Sequence, residues 1–73
     1  MTHVEQQAWF EELSEYVKSY VKGHDDRVAR KEVLNATAEH FNILVSEAKY
    51  GMTYAWATGK VKFDQNTLDF VTI

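Results

Sequence analysis

The chain has 73 residues, no cysteine and a formal net charge of −3 at pH 7. A chain of this length makes one domain, and the lack of cysteine excludes a disulfide framework, a zinc–thiolate site and a thiol nucleophile. No apolar run approaches the roughly 20 residues that span a bilayer, and the N-terminal residues lack a signal-peptide pattern, so we expect a soluble, cytoplasmic protein.

The first predicted element is a helix over residues 2–22. Thr2 and Glu5 have the spacing of a capping box, in which each side chain satisfies a free backbone N–H. Apolar residues then recur at helical spacing and form one stripe: Trp9, Leu13, Tyr16, Val17, Tyr20 and Val21. Gly23 is expected to end this helix as a left-handed C′ residue.

A turn with an aspartate N-cap is predicted at residues 23–26, followed by a second helix over about residues 27–41. Its inner face is Val33, Leu34, Thr37, Ala38 and Phe41. Arg27, Arg30 and Lys31 crowd the first turns of this helix, where the helix dipole disfavours positive charge. This crowding indicates either a later helix start or a basic patch kept for a partner.

The third helix is predicted over about residues 45–58, after a turn at Asn42, which tolerates the left-handed conformation. Gly59 is expected to end it. Its predicted inner face is Val45, Ala48, Met52, Ala55 and Trp56. Gly51 inside the helix costs about 1 kcal/mol relative to alanine, so we expect another backbone, on the first or second helix, to approach it closely.

From Lys60 onward the hydrophobic period changes from helical to two, which predicts a β-hairpin over about residues 60–72. Val61 and Phe63 are the apolar residues of the first run. In the second run Leu68 and Phe70, with Thr72 as a further candidate, alternate with Asp69 and Val71. The sequence "DQNT" between the runs is typical of a turn, with Asn66 as the expected left-handed residue.

Three helices followed by a hairpin predict an α+β fold that is mostly helical. Ala38 offers the small side chain that a tight helix crossing needs, Phe41 and Ile43 flank the turn, and Ala48 packs the next helix. In these features residues 30–73 resemble the winged-helix group of helix-turn-helix folds, and the resemblance implies DNA binding. The sequence departs from the group at Asn42, where glycine is usual, at Gly51, where a bulky apolar residue is usual, and in its long first helix.

The outward face of the third helix favours a protein partner over DNA. That face is predicted to hold Ser46, Glu47, Tyr50, Thr53 and Tyr54, with Lys49 at the flank. It has no Arg, Asn or Gln for bidentate contacts to bases, and scattered cations on a chain of charge −3 bind phosphate weakly. Tyr50 and Tyr54 are spaced to stack along one stripe, and tyrosine is enriched at interface hot spots.

No catalytic constellation or nucleotide-binding motif occurs, so we expect no enzyme activity, no cofactor and no metal site. The cluster His24, Asp25 and Asp26 is interpreted as solvated turn residues. Glu11, Glu12 and Glu15 are interpreted as a solvated helix face opposite the apolar stripe.

The resulting hypothesis is a small non-enzymatic regulatory or inhibitory protein that binds another protein, with the transcription machinery as one candidate partner. In style the chain resembles small regulatory proteins encoded by bacteriophages. The alternatives are a winged-helix DNA-binding regulator and a structural component that forms a homodimer through the open edges of the hairpin. The predicted partner-binding residues are Tyr50, Tyr54, Lys49, Arg27, Arg30, Lys31, Lys60 and Lys62.

Overall fold

The structure is a computed structural model that describes residues 3–73, with side chains from residue 5 onward. Its elements in chain order are α1 His3–Gly23, β1 Arg27–Ala29, α2 Arg30–Phe41, α3 Val45–Ala57, β2 Val61–Asp64 and β3 Asp69–Thr72. The predicted α+β class, with three helices and a C-terminal antiparallel hairpin, is confirmed. The predicted capping residue Thr2 lies outside the described residues.

A short strand that was not predicted from the sequence precedes α2. Residues 27–29 were predicted to be helical, but they form β1, which pairs antiparallel with β3 to give a three-stranded sheet of order β1-β3-β2. Only Val28 of the three is buried, and it lies opposite Phe70. The helix starts at Arg30, whose N–H has no acceptor within the helix and donates to the carbonyl of Leu68 at 3.0 Å.

Two aspartates make the turn between α1 and β1. Asp25 and Asp26 have φ of 62° and 64° and are the central residues of the turn from His24 to Arg27, a conformation that aspartate tolerates better than most residues. The expected aspartate N-cap of α2 is wrong, because the N-cap position is Ala29 and no side chain caps it. The expected C′ role of Gly23 is also wrong, since this glycine is the last residue of α1.

The turn at Asn42 has the predicted left-handed conformation, with φ 54° and ψ 51°. The Asn42 N–H donates to the carbonyl of Glu39, and the Ile43 N–H donates to the carbonyl of Ala38 at 3.0 Å. This pair of bonds is a Schellman motif, which ends α2 and reverses the chain into α3. Ala38 and Ala48 are both buried, and α2 packs against α3.

Gly59 ends α3, and Leu68 is the left-handed residue of the hairpin loop. Gly59 has φ 78°, and the Lys60 N–H donates to the carbonyl of Ala55 at 2.9 Å, so α3 ends in a second Schellman motif as predicted. In the hairpin loop the left-handed residue is Leu68, with φ 59°, and not Asn66. The Asn66 N–H instead donates to the Asp64 carboxylate at 2.9 Å. The left-handed backbone angle that turns the chain into β3 is therefore at Leu68.

The core lies between α1, the inner face of the sheet and the buried sides of α2 and α3. Its apolar residues are Leu13, Val17, Val21, Val28, Val33, Ala38, Ala48, Met52, Ala55, Val61 and Phe70. Gly51 is buried against α1, where a Cβ atom would collide with the Cβ of Leu13. The predicted close approach at Gly51 is thus present, and the neighbour is a side chain of α1.

The buried side of α3 is turned towards α1 relative to the predicted face. Val45 and Trp56 were expected to face the core but are 46% and 54% exposed. Ala48, Met52 and Ala55 are buried as predicted, and Gly51 joins them on the buried side, because its missing side chain lets α3 approach α1 closely. The rotation leaves Trp56 at the surface next to the sheet.

Candidate protein-binding surface

Two aromatic side chains of α3 are exposed to solvent. Tyr50 is 61% exposed and Trp56 is 54% exposed. Tyr50 was predicted to face solvent, whereas Trp56 was predicted to face the core. The helical spacing of Thr53 from Trp56 puts both on one stripe, and the structure places this stripe against the sheet.

Tyr50 and Tyr54 both pack against the ring of Phe10 on α1. The ring centroid of Phe10 lies 6.2 Å from that of Tyr50 and 6.1 Å from that of Tyr54. Tyr54 is half-buried, and the Lys60 ammonium lies 5.9 Å from the centre of its ring. Tyr54 thus holds α1 to α3, whereas Tyr50 presents most of its surface to solvent.

Arg27 is engaged within the sheet. Its guanidinium lies 3.0 Å from the Asp69 carboxylate and 3.2 Å from the Asp64 carboxylate, and it donates to the Thr67 hydroxyl at 3.0 Å. The hydrogen bonds to Asp69 and Asp64 raise the pKa of Arg27. The Asn66 backbone N–H and then Arg27 lower the pKa of Asp64. Two carboxylates balance this cation, so it offers little net charge to a partner.

Lys60 is also engaged, and it joins α3's C-terminal turn to α1. Its ammonium lies 2.9 Å from the Glu15 carboxylate, donates to the Ser14 hydroxyl at 2.8 Å and pairs with Glu11. Burial acts to lower the pKa of Lys60, but the hydrogen bonds with Glu11 and Glu15 outweigh it, so the pKa is raised. The hydrogen bond and charge of Lys60 lower the pKa of Glu15.

The remaining predicted cations have no ion pair with another described residue: Arg30, Lys31, Lys49 and Lys62. The four do not all lie on one face of the molecule. Lys62 lies in register with Val71 and Arg27 on the outer face of the sheet. Arg30 and Lys31 are the first two residues of α2 and line a cavity together with Leu68 of the hairpin loop. Lys49 lies on α3.

A groove between α3 and the sheet was not predicted from the sequence. It encloses about 310 Å³ between Trp56 and Met52 on the helix and Phe63 and Phe70 on the sheet. The rings of Phe63 and Phe70 pack together with centroids 5.2 Å apart and form its floor. Alternation along β2 placed Phe63 on the inner face correctly, but only the rotation of α3 brings Trp56 next to it.

The described residues show no metal-binding arrangement, because no three His, Cys, Asp or Glu side chains among residues 5–73 are grouped to hold an ion. His24 stacks on Tyr20 with ring centroids 4.1 Å apart, and its Nδ1 lies 2.7 Å from the Tyr20 carbonyl oxygen. The contact with Tyr20 thus occupies one of the two imidazole nitrogens of His24, the histidine of the cluster with Asp25 and Asp26. No helix in the described part of the chain is long and apolar enough to cross a membrane.

Comparison with protein-family models, curated proteins and solved structures gives no significant match. The three helices and small antiparallel sheet are compatible with a winged-helix-like shape. The functional interpretation therefore depends on the surface of the molecule itself.

Proposed function

We propose that this chain is a small regulatory protein that acts by binding another protein through the exposed surface of α3. The observation that carries the proposal is the exposure of Tyr50 and Trp56, at 61% and 54%, on one helix. Large aromatic side chains are the residues that most often dominate the energy of a protein–protein interface. Neither ring is needed to fill the core, which is closed beneath α3 by Ala48, Met52 and Ala55.

The chemistry of α3 supports a protein partner over duplex DNA. Its exposed residues include no Arg, Asn or Gln, the side chains that make bidentate contacts to guanine and adenine. Arg27 and Lys60, two of the cations predicted to contact a partner, are held by carboxylates of the same chain. Duplex affinity rests largely on the number of phosphates that are neutralised, and this surface has few free cations on a chain of charge −3.

The second candidate is a DNA-binding regulator of the winged-helix type. What supports it is the order of elements, with a strand before α2, a tight turn into α3 and a hairpin beside α3. In such a mode α3 enters the major groove and the hairpin touches the backbone. A third candidate, a structural component that forms homodimers, is supported by the open edges of β1 and β2 in the three-stranded sheet.

The proposal is tested by affinity capture from the source cell with the wild-type chain, Tyr50→Ala and Trp56→Ala. Both side chains are exposed, so the variants should keep the wild-type helical circular dichroism while losing the captured protein. Lys22→Ala, which changes an exposed residue of α1, is the control and should capture the partner normally. Capture that is equal for all four proteins would contradict the proposal.

The DNA alternative is tested by titrating mixed-sequence duplex DNA at about 50 mM and about 200 mM salt. A phosphate-driven complex loses orders of magnitude in affinity over this range. We expect no binding at either salt concentration. Tight binding at low salt that disappears at high salt would favour the winged-helix alternative.

A further inference from the structure

The groove beside Trp56 continues along the sheet into a second cavity. The first cavity, of about 310 Å³, and the second, of about 450 Å³, share Arg30 and Phe63 in their linings. Trp56 lies at one end and Leu68 at the other, and each has more than half of its surface exposed. We call this continuous feature the α3–sheet groove.

The charge along the α3–sheet groove has one sign. Arg30 and Lys31 line it, and no aspartate or glutamate among residues 5–73 does. Neither cation pairs with a carboxylate of the described residues. The nearest acidic residues of the hairpin, Asp64 and Asp69, are turned to the outer face of the sheet, where both bind Arg27.

A third unpaired cation extends this charge along the helix. Lys49, Thr53 and Trp56 are spaced by four and three residues, so they lie along one side of α3. Thr53 and Trp56 line the groove, which places Lys49 one turn beyond its rim. The groove thus has Arg30 and Lys31 in its lining and Lys49 one turn beyond it, which locally reverses the net charge of −3 of the chain.

Leu68 adds an unusual feature at the far end. It is a leucine with φ 59°, in the left-handed region, and it is 61% exposed. Its N–H donates to the Asp64 carbonyl at 2.8 Å, and its carbonyl accepts from the Arg30 N–H at 3.0 Å. Glycine or asparagine would satisfy the same backbone bonds with less strain, so folding alone does not require an apolar side chain here.

We propose that the α3–sheet groove binds an acidic segment of the partner protein. This inference rests on the proposed function, because it describes how the same partner is recognised. One apolar side chain of the segment enters between Trp56 and Phe63, and flanking Asp or Glu side chains pair with Arg30, Lys31 and Lys49. The apolar lining disfavours a nucleic-acid backbone, which would bury phosphates against Met52 and the phenyl rings. Complementary charge at the rim then selects an acidic protein segment.

The test uses three probes and the full chain labelled with ¹⁵N. The first is a synthetic peptide of Asp and Glu residues with Leu and Phe at intervals. The second is the same peptide with Lys in place of every acidic residue, and the third is mixed-sequence duplex DNA. We expect only the acidic peptide to shift the amide signals of Arg30, Lys31 and Thr53 and the indole signal of Trp56.

Variants locate the site. Trp56→Ala should weaken the acidic peptide roughly 30-fold, as for an interface hot spot, and Arg30→Glu should weaken it roughly fivefold, as for an exposed charge pair. Lys22→Glu makes the same change in net charge on α1, outside the groove lining, and should leave the affinity unchanged. Helical circular dichroism confirms that each variant is folded before its affinity is used.

The other outcomes overturn the inference in distinguishable ways. Acidic-peptide shifts confined to the side of Tyr50 and Phe10 would refute the groove and keep the proposed function. Equal binding of the lysine peptide, or no peptide binding at millimolar concentration, would refute the groove alone, since capture through Tyr50 is measured separately. Duplex DNA that shifts the groove signals, with a steep salt dependence, would refute both the acidic-segment groove and the proposed protein-binding function.

Discussion

The Cβ of Leu13 occupies the space that a side chain on Gly51 would need, so α1 and α3 cross where one of them has no side chain. Leu13 is fully buried, and its Cβ is fixed to the α1 backbone, so it cannot move aside. This contact sets the rotation of α3 about its axis. The rotation in turn decides which side chains of α3 reach solvent, including Tyr50 and Trp56.

Replacing Gly51 by Ala should therefore destabilise the protein. Overpacking of a core contact costs about 1–3 kcal/mol, and the higher helix propensity of alanine recovers up to about 1 kcal/mol. We expect a net loss of about 1–2 kcal/mol in the free energy of unfolding, measured by urea denaturation followed by circular dichroism. Gly23→Ala is the matched control, since Gly23 ends α1 with open space around it and should be neutral or stabilising.

The two tyrosines of α3 should separate stability from binding. Tyr54→Ala removes contacts with Phe10 and the Lys60 ammonium, and we expect it to lower the free energy of unfolding by about 1–2 kcal/mol. Tyr50→Ala should change it by no more than about 0.5 kcal/mol, as for other exposed positions, while reducing partner capture. Equal destabilisation by the two substitutions would show that Tyr50 belongs to the core.

Several features were predictable because the signal is local. Asn42 and Gly59 were identified as helix ends, and both have the left-handed conformation, which asparagine and glycine adopt at a lower cost than most residues. The alternation of Val61 and Phe63 predicted the inner face of β2, because successive side chains of a strand point to opposite faces of the sheet. The protein-binding role of the predicted residues stays a prediction.

The features that were missed depend on distant partners. β1 has three residues, too few for a visible period, and it is a strand because β3 lies beside it. Trp56 is exposed because the contact between Gly51 and Leu13 rotates α3. Arg27 and Lys60 were predicted from their charge, and only the folded chain brings them to carboxylates far away in sequence.

The carboxylates of Glu15 and Asp64 predict a loss of stability in acid. The pKa of each is lowered in the folded protein, Glu15 by Lys60 and Asp64 by the Asn66 N–H and Arg27. A lowered pKa stabilises the folded state above the pKa of the unfolded chain. This stabilisation is lost as the pH falls through the lower folded pKa.

The measurement is the urea midpoint of the wild type and of Lys60→Met between about pH 7 and about pH 3. The midpoint of the wild type should fall on acidification below about pH 4, the usual range for carboxyl groups. The variant should start lower at pH 7, because Glu15 loses its partner, and should fall less steeply. Parallel curves for the two proteins would show that the Lys60 cluster contributes nothing to the acid response.

Replacing Leu68 by glycine should raise the stability of the protein and weaken its binding of the acidic peptide. Leu68→Gly relieves a left-handed leucine, whose strain costs about 1–2 kcal/mol, against the larger unfolded-state entropy of glycine, and we expect a net gain of up to about 1 kcal/mol in urea denaturation. The same variant should bind the acidic peptide more weakly, because the groove loses its apolar end. Leu68→Ala, which keeps a Cβ in the strained conformation, should lose binding without gaining stability. A Leu68→Gly protein with unchanged peptide affinity would remove Leu68 from the groove.

The most direct measurement places a photo-crosslinking amino acid at position 50, 56 or 22 of the chain in the source cell and identifies the adducts by mass spectrometry. Positions 50 and 56 lie on the exposed surface of α3, and position 22 lies on α1. Binding of a protein through α3 predicts one partner protein crosslinked from positions 50 and 56 and absent at position 22. Adducts with nucleic acid from α3, or a partner crosslinked only from position 22, would contradict it.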